Sequence, residues 1–393
     1  MNCGITGKKE VSMPADVYQQ LALQLSVLGM GYPPGNELEA ILKENFSPDE
    51  ATVVLCLPTR VAPRTTATVE ELSAKSGRCR EEISQLLESL AARGLLYSSV
   101  NRDGRRGYGL QQIGYGFPQS FFWKGEITSQ SRRMAELIRT YHKATNLNFE
   151  VYGTTETKNY RYIPPREALE RPQDDHSRDR PSHFEHDTQA LLPFDQMETV
   201  IDQAQVIAVS HCSCRVTMDN FDRRRCDHAL EVCLKYDDLA EYVVDRKLGR
   251  AITKDEAFEI IRQCEDAGLV HMVDNSQKQM KHRCNCCPCC CWSVGTLKRR
   301  RIPRDVLIAI YFIRGTIQQE CIGCGECPEV CPVEAIIMRD DHPVVDTEWC
   351  IGCGLCIRVC PTSAATLRRK TPLVPPRDFD ELHVRILEER GLK

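Results

Sequence analysis

The sequence predicts a multidomain α+β protein, and three observations carry that expectation. Apolar residues recur at helical spacing through the N-terminal third, punctuated by glycine and proline. Further along, short β-prone runs alternate with single amphipathic helices. Cysteine is concentrated in the second half: of 22 in the chain, 18 fall into four tight groups between Cys212 and Cys360.

A length of 393 residues suits two to four domains, and a hydrophobic content of 42% is enough for ordinary cores. The net charge of −4 gives no general attraction for nucleic acid. No apolar run approaches the roughly 18 residues of a membrane span. Met1 to Glu10 has no apolar signal core, so a cytoplasmic location is expected.

The N-terminal segment 1–59 reads as helical. Asp16 to Leu28 is amphipathic and ends at Gly29-Met-Gly-Tyr-Pro-Pro-Gly35; Asn36 to Phe46 is a second helix, expected to stop before Pro48. In 60–127, Thr68 caps a helix with Val69, Leu72 and Ala74, and Gly77 turns the chain. Arg80 to Arg93 is a second helix with Ile83, Leu86, Leu87 and Leu90 on one face. Leu95 to Val100 and Tyr108 to Ile113 then form a hairpin with Asn101-Arg-Asp-Gly-Arg-Arg-Gly107 at its tip. This order resembles the winged helices of the MarR and ArsR regulator families. A major-groove reader brings cations to phosphates; here Arg80 and Arg93 stand against Glu81, Glu82 and Glu88. Arg102, Arg105 and Arg106 at the tip are the only compensation, so a protein contact is expected and DNA is not.

Residues 128–200 read as a helix, Ser129 to Tyr141, and an exposed linker. Arg171 to Asp187 is polar and proline-bearing, and its His176, His183 and His186 are expected to be solvated.

The strongest signal is Cys321-Ile-Gly-Cys324-Gly-Glu-Cys327-Pro-Glu-Val-Cys331-Pro332, which returns 29 residues later as Cys350-Ile-Gly-Cys353-Gly-Leu-Cys356-Ile-Arg-Val-Cys360-Pro361. The run C-x2-C-x2-C-x3-C-P is the bacterial ferredoxin signature, and its tandem repeat marks a dicluster ferredoxin domain, placed at 301–370. In two-cluster ferredoxins the fourth cysteine of each run ligates the other cluster. Carried onto this chain, Cys321, Cys324, Cys327 and Cys360 hold one cluster; Cys350, Cys353, Cys356 and Cys331 hold the other. Gly323 and Gly352 tolerate the positive backbone angles that wrapping requires. With no ligand replaced, both sites are expected to be [4Fe–4S]. Ala335 to Arg339 and Pro343 to Asp346 read as strands, and 371–393 as a C-terminal tail.

Upstream, 201–300 reads as a Cys-rich Fe–S domain. Val206 to Ser210 is a strand delivering His211-Cys212-Ser-Cys214-Arg215, followed by Cys226 and Cys233. Thr253 caps a helix to Asp266, Leu269 to Val273 follows, and then comes Cys284-Asn-Cys286-Cys287-Pro-Cys289-Cys290-Cys291. Cys212, Cys214, Cys226 and Cys233 are expected to hold a third cluster, and Cys284, Cys286, Cys287, Cys289, Cys290 and Cys291 to hold or shield a fourth. Zinc is the alternative, but zinc ribbons present two C-x2-C knuckles, which C-x-C followed by single cysteines does not match. His211 is expected to hydrogen-bond near the cluster. Cys3, Cys56, Cys79 and Cys264 stand alone and read as core or tail thiols.

The pattern H-C-x-C-R … C … C … C-N-C-C-x-C-C-C before a dicluster ferredoxin resembles, over about 195–370, the 4Fe-4S binding-domain proteins of anaerobic bacteria and archaea. The resemblance implies cytoplasmic redox work without a defined substrate. No flavin or nicotinamide fingerprint is present, so redox proteins or flavin or metal enzyme subunits are the expected partners, and Lys298-Arg-Arg-Arg301 with Arg304 is a candidate face toward an acidic one. The function expected is an electron-relay subunit of a redox complex. The alternatives are an Fe–S-sensing winged-helix regulator and a reductase with its active site in the Cys-rich domain.

Overall fold

The computed structural model describes residues 16–28, 31–59, 65–101, 103–112, 116–144, 155–171, 197–370 and 374–392. The linker histidines His176, His183 and His186, and Cys3, lie outside them.

The first helix, Val17–Ser26, is N-capped by Asp16, and the second spans Asn36–Asn45. The second helix stops before Pro48 as expected, and Pro48 begins a third, Pro48–Val54. Proline at the first helical position gives up an amide that would be unpaired anyway, and Ser47 and Glu50 close a capping box around it. Tyr32 anchors this segment to the next, donating its hydroxyl to the carbonyls of Gln111, at 2.9 Å, and Phe117.

Helix, turn, helix and hairpin then follow in the expected order. Thr68 and Glu71 form the capping box of Val69–Ser76, Gly77 closes that helix in the left-handed conformation, and Arg80–Ala92 follows. Strands β1 (Ala67–Thr68), β2 (Tyr97–Val100) and β3 (Arg106–Gly109) make an antiparallel sheet of order β1-β3-β2. Ile83, Leu87 and Leu90 are fully buried and Leu86 is packed at their edge.

The charges of this segment are largely engaged within the chain. Glu88 receives hydrogen bonds from Arg246 and Tyr108, and Arg106 pairs with Asp245 at 2.6 Å. Arg246, with its side chain only 8% exposed, also donates to Ser98 at 2.8 Å. Arg93 pairs with Glu50, and Arg105 pairs at the surface with Asp103 at 3.2 Å. Arg102 lies outside the described residues.

The centre of the molecule is a seven-stranded sheet of order β10-β4-β8-β9-β6-β5-β7. Its strands are β4 (Tyr160–Ile163), β5 (Ile207–His211), β6 (Glu231–Tyr236), β7 (Arg250–Ala251), β8 (Val270–Asp274), β9 (His282–Cys286) and β10 (Ile308–Ala309). All pairings are antiparallel except β10 with β4. The Cys-rich region is therefore not closed at 201–300. Strand β8 is buried along its whole length and needs a partner on each side; β4, from the stretch read as linker, supplies one of them. Strand alternation distributes the helices: Ile207 and Val209 share a core with Ile260 and Ile261 of Lys254–Asp266, while Ala208 packs with Leu239 and Val243 of Asp238–Asp245.

In the C-terminal module β11 (Phe312–Thr316) pairs with β14 (Ala365–Arg369), and β12 (Ile336–Arg339) with β13 (His342–Val345). Asp340 and Asp341, both at positive φ, make the two-residue turn between the latter. The segment read as a tail contains a helix, Phe379–Glu389, N-capped by Asp378. Phe379, Leu382 and Ile386 are buried, and Arg390 donates to the Leu28 carbonyl at 2.7 Å, tying the C-terminal helix to the N-terminal ones. Among the described residues no helix is long and apolar enough to cross a membrane.

Arg246 joins the N-terminal hairpin unit to the central sheet, so Arg246→Ala is expected to destabilise the protein by about 2 kcal/mol, the scale of a charge-assisted hydrogen bond at a part-buried site. Thermal unfolding followed by circular dichroism checks this, with Arg262→Ala, in an exposed pair with Glu259, leaving the transition where it was.

Candidate metal centres

The two ferredoxin runs adopt the same local geometry. Gly323 and Gly352 have φ of 68° and 63°, and each run continues into a one-turn helix, Glu326–Glu329 or Leu355–Arg358. A side chain is excluded at both positions by space as well as conformation. An added Cβ would lie 2.5 Å from the Asp341 carbonyl oxygen at Gly323, and 2.1 Å from that of Phe312 at Gly352.

A cavity in this module is lined by Cys331, Cys350, Cys353 and Cys356 with Val333, Ile336, Ile351 and Leu367. It gathers the fourth cysteine of the first run with the first three of the second. Cys327 interacts with Cys321 and Cys324, and packs in one apolar group with Cys360. The Ala335 amide donates to Cys331 Sγ at 3.2 Å and the Ala365 amide to Cys360 Sγ at 3.3 Å. The Arg314 guanidinium reaches Cys327 Sγ at 3.8 Å.

The electrostatics fit a metal cluster. Burial pushes the thiol of Cys356 up to about 12, that of Cys353 well above its ordinary value, and that of Cys350 upward. Thiols so held become thiolates when a bound cation compensates them, as iron would.

Upstream, the ten thiols are not divided as their spacing suggested. Cys212, Cys214, Cys226 and Cys233 do not assemble as one set. Cys226 instead reaches the cysteine run: its Sγ lies 3.7 Å from Cys290 and 4.0 Å from Cys287, and Cys289 is 3.6 Å from Cys290. Cys233 joins Cys284 and His282, whose Nε2 is 3.3 Å and 3.5 Å from the two sulfurs. Cys284 neighbours Cys286, Cys286 neighbours Cys291, Cys291 neighbours Cys214, and Cys214 neighbours Cys212. The reason lies in β9, which makes the start of the ligand run a strand. Alternation along a strand puts Cys284 and Cys286 on one side, and beyond the strand Cys287, Cys289 and Cys290 turn toward Cys226. His211, expected near a cluster, has its Nδ1 3.1 Å from the Trp123 carbonyl. Of the lone cysteines, Cys264 is buried, Cys56 half-buried and Cys79 exposed.

Two fully buried cations meet this sulfur. Arg215 donates to the Ala229 and Asn285 carbonyls at 2.8 and 3.0 Å and faces Cys212, Cys286 and Cys287. Burial works against its charge, but the neighbouring thiolates more than offset that. Lys235 places Nζ 2.8 Å from Cys233 Sγ and 4.5 Å from the Trp123 ring centre. A buried cation is costly unless paired, and sulfur is a counter-charge here.

Tyr162 of β4 is a site residue that sequence reasoning missed. Its buried ring packs in one apolar core with Cys286, Cys291 and Cys353, and its hydroxyl is 3.2 Å from Ser293 Oγ. The only signal was the β-prone Tyr-Arg-Tyr-Ile in a stretch read as linker. The basic run is also placed unexpectedly. Lys298 pairs with Glu334 at 3.1 Å, Arg300 lies 4.2 Å from the Trp349 ring centre, and Arg304 donates to the Thr347 and Cys350 carbonyls. Lys298, Arg300 and Arg304 thus tie the ferredoxin module to the segment that follows the cysteine run, while Arg299 and Arg301 are exposed.

No curated protein and no solved structure matches the chain. Residues 315–367 match the family model described as the 4Fe-4S dicluster domain, a span that contains both cysteine runs, so the C-terminal module is a ferredoxin-type 4Fe-4S dicluster domain.

Proposed function

We propose that the protein is a multi-centre electron carrier, working as a relay subunit between separate redox proteins or flavin or metal enzyme subunits. The observation that carries this reading is that Cys286 and Cys291 of the upstream thiols share one apolar core with Tyr162 and with Cys350 and Cys353 of the dicluster domain. In this reading Cys321, Cys324, Cys327 and Cys360 hold one [4Fe–4S] cluster, Cys331, Cys350, Cys353 and Cys356 a second, and Cys212, Cys214, Cys286 and Cys291 a third. A bound [4Fe–4S] cluster stores and releases a single electron at a potential set by its charge, hydrogen bonds and exposure.

The protein's own residues supply the rest. Ile336, Ile351 and Leu367 wall the second site against water. The Ala335 and Ala365 amides and the Arg314 guanidinium donate to ligand sulfur and favour the reduced, more negative state. Burial is graded: Cys350, Cys353 and Cys356 are buried, whereas Cys324 is exposed beside Ile322, itself 66% exposed. The set containing Cys324 is the natural point of exchange with a partner.

Anaerobically reconstituted protein is expected to hold roughly twelve iron and twelve sulfide per chain, four of each per cubane. A plateau at four or fewer of each is incompatible with even the dicluster assignment.

Cys331→Ala is expected to damage the site of Cys350, Cys353 and Cys356, leaving a three-iron form or an empty site there. Paramagnetic resonance of the reduced variant reads this out; loss of the site of Cys321, Cys324 and Cys327 instead would mean that the ligands are not crossed.

Arg314→Leu removes a cation beside Cys327, so the potential of that site is expected to fall by on the order of 60 mV, a tenfold change for one electron. Potentiometric titration measures it, and an unchanged potential would count against a cluster at Cys327.

A further inference from the structure

We propose that Cys226, Cys287, Cys289 and Cys290 form a closed mononuclear zinc site, distinct from the iron–sulfur centres. The argument rests on the spacing of the sulfurs. Zinc binds thiolate at about 2.3 Å, and a regular tetrahedron with that radius has its corners about 3.8 Å apart. Three of the six sulfur separations at this site are 3.6, 3.7 and 4.0 Å, and all four sulfurs lie within 4.8 Å of one another. A cubane interposes iron and sulfide between its cysteines and holds their sulfurs much farther apart.

The same chain provides the comparison. The eight ferredoxin cysteines are all among the described residues, yet no three of their sulfurs gather within 4.8 Å. The cysteines of the dicluster domain are thus spread around a larger group, while those at Cys226 close on a single ion. The Cys233, His282 and Cys284 group is equally tight but offers three ligands.

The choice of metal follows from the donors. Four thiolates in a tetrahedron with no vacant position are the donor set of structural zinc. Zinc stands above ferrous iron in the affinity order of such sites. Four thiolates on a divalent ion leave a double negative charge, and the buried guanidinium of Arg215 stands beside Cys287 to offset part of it.

The position gives the ion its role. Cys226 lies in a stretch, 223–229, with neither helix nor strand, whereas Cys287, Cys289 and Cys290 follow directly from β9. The ion would staple that stretch to the sheet, next to the loop and helix that carry Cys212 and Cys214. It carries no electron, so the site stands or falls independently of the relay reading.

The test uses full-length protein produced anaerobically with both iron and zinc supplied. Elemental analysis is expected to give about one zinc per chain beside the iron, and zinc-edge X-ray absorption four sulfur neighbours at about 2.3 Å. Cys226→Ser should lose the zinc while iron and sulfide stay unchanged. Cys226→His, which substitutes one accepted zinc ligand for another, should retain it and shows that the position itself tolerates change. Three results would overturn the assignment: iron-replete wild-type protein without zinc, iron and sulfide each falling by about four in Cys226→Ser, or one iron in excess of sulfide taking the zinc's place.

Discussion

Sulfur that is buried must be charged to bind metal, and charge that is buried must be compensated; the rest of the molecule is arranged around that constraint. Cys353 and Cys356 lie where desolvation opposes the thiolate. Arg215, Lys235 and Arg314 are placed against sulfur at equally buried positions. Neither group is comfortable without the other, and the cations alone are too few for the thiols. Bound metal supplies the remaining positive charge, so folding and metal loading are expected to be linked.

The same constraint explains why the domains are not separable beads. Strand β4 comes from before the Cys-rich region and β10 from after it, and both are needed to complete the sheet from which the cysteine run emerges. Tyr162 is delivered to its place by this strand exchange. Lys298, Arg300 and Arg304 then fasten the dicluster domain to the segment that follows the run. A path between centres requires fixed distances, and fixed distances require that the elements holding each centre share a core.

The N-terminal helices and hairpin fit the same picture. Glu88 and Arg106, which looked like surface charges facing an external partner, are joined to Arg246 and Asp245 beside the central sheet. The unit therefore serves at least as packing for the Cys-rich region, through Arg246 and through the buried contact of Tyr97 with Tyr242.

The sequence by itself determined much of what depends on residues close in the chain. The x2 spacing of the ferredoxin cysteines, the glycines at Gly323 and Gly352, the capping of Val69–Ser76 by Thr68 and the order of helix, turn, helix and hairpin are local, and local geometry follows from local chemistry. The third helix is local as well, with Pro48 in its first turn and Ser47 and Glu50 closing its capping box. What only the tertiary structure decided is how distant thiols combine. Ten cysteines between Cys212 and Cys291 allow many sets of four, and spacing favoured neighbours in sequence. The fold chose otherwise, since strand alternation in β9 sends Cys284 and Cys286 one way while the chain beyond turns Cys287, Cys289 and Cys290 toward Cys226. A sheet register set by long-range burial, rather than any motif, fixed that division.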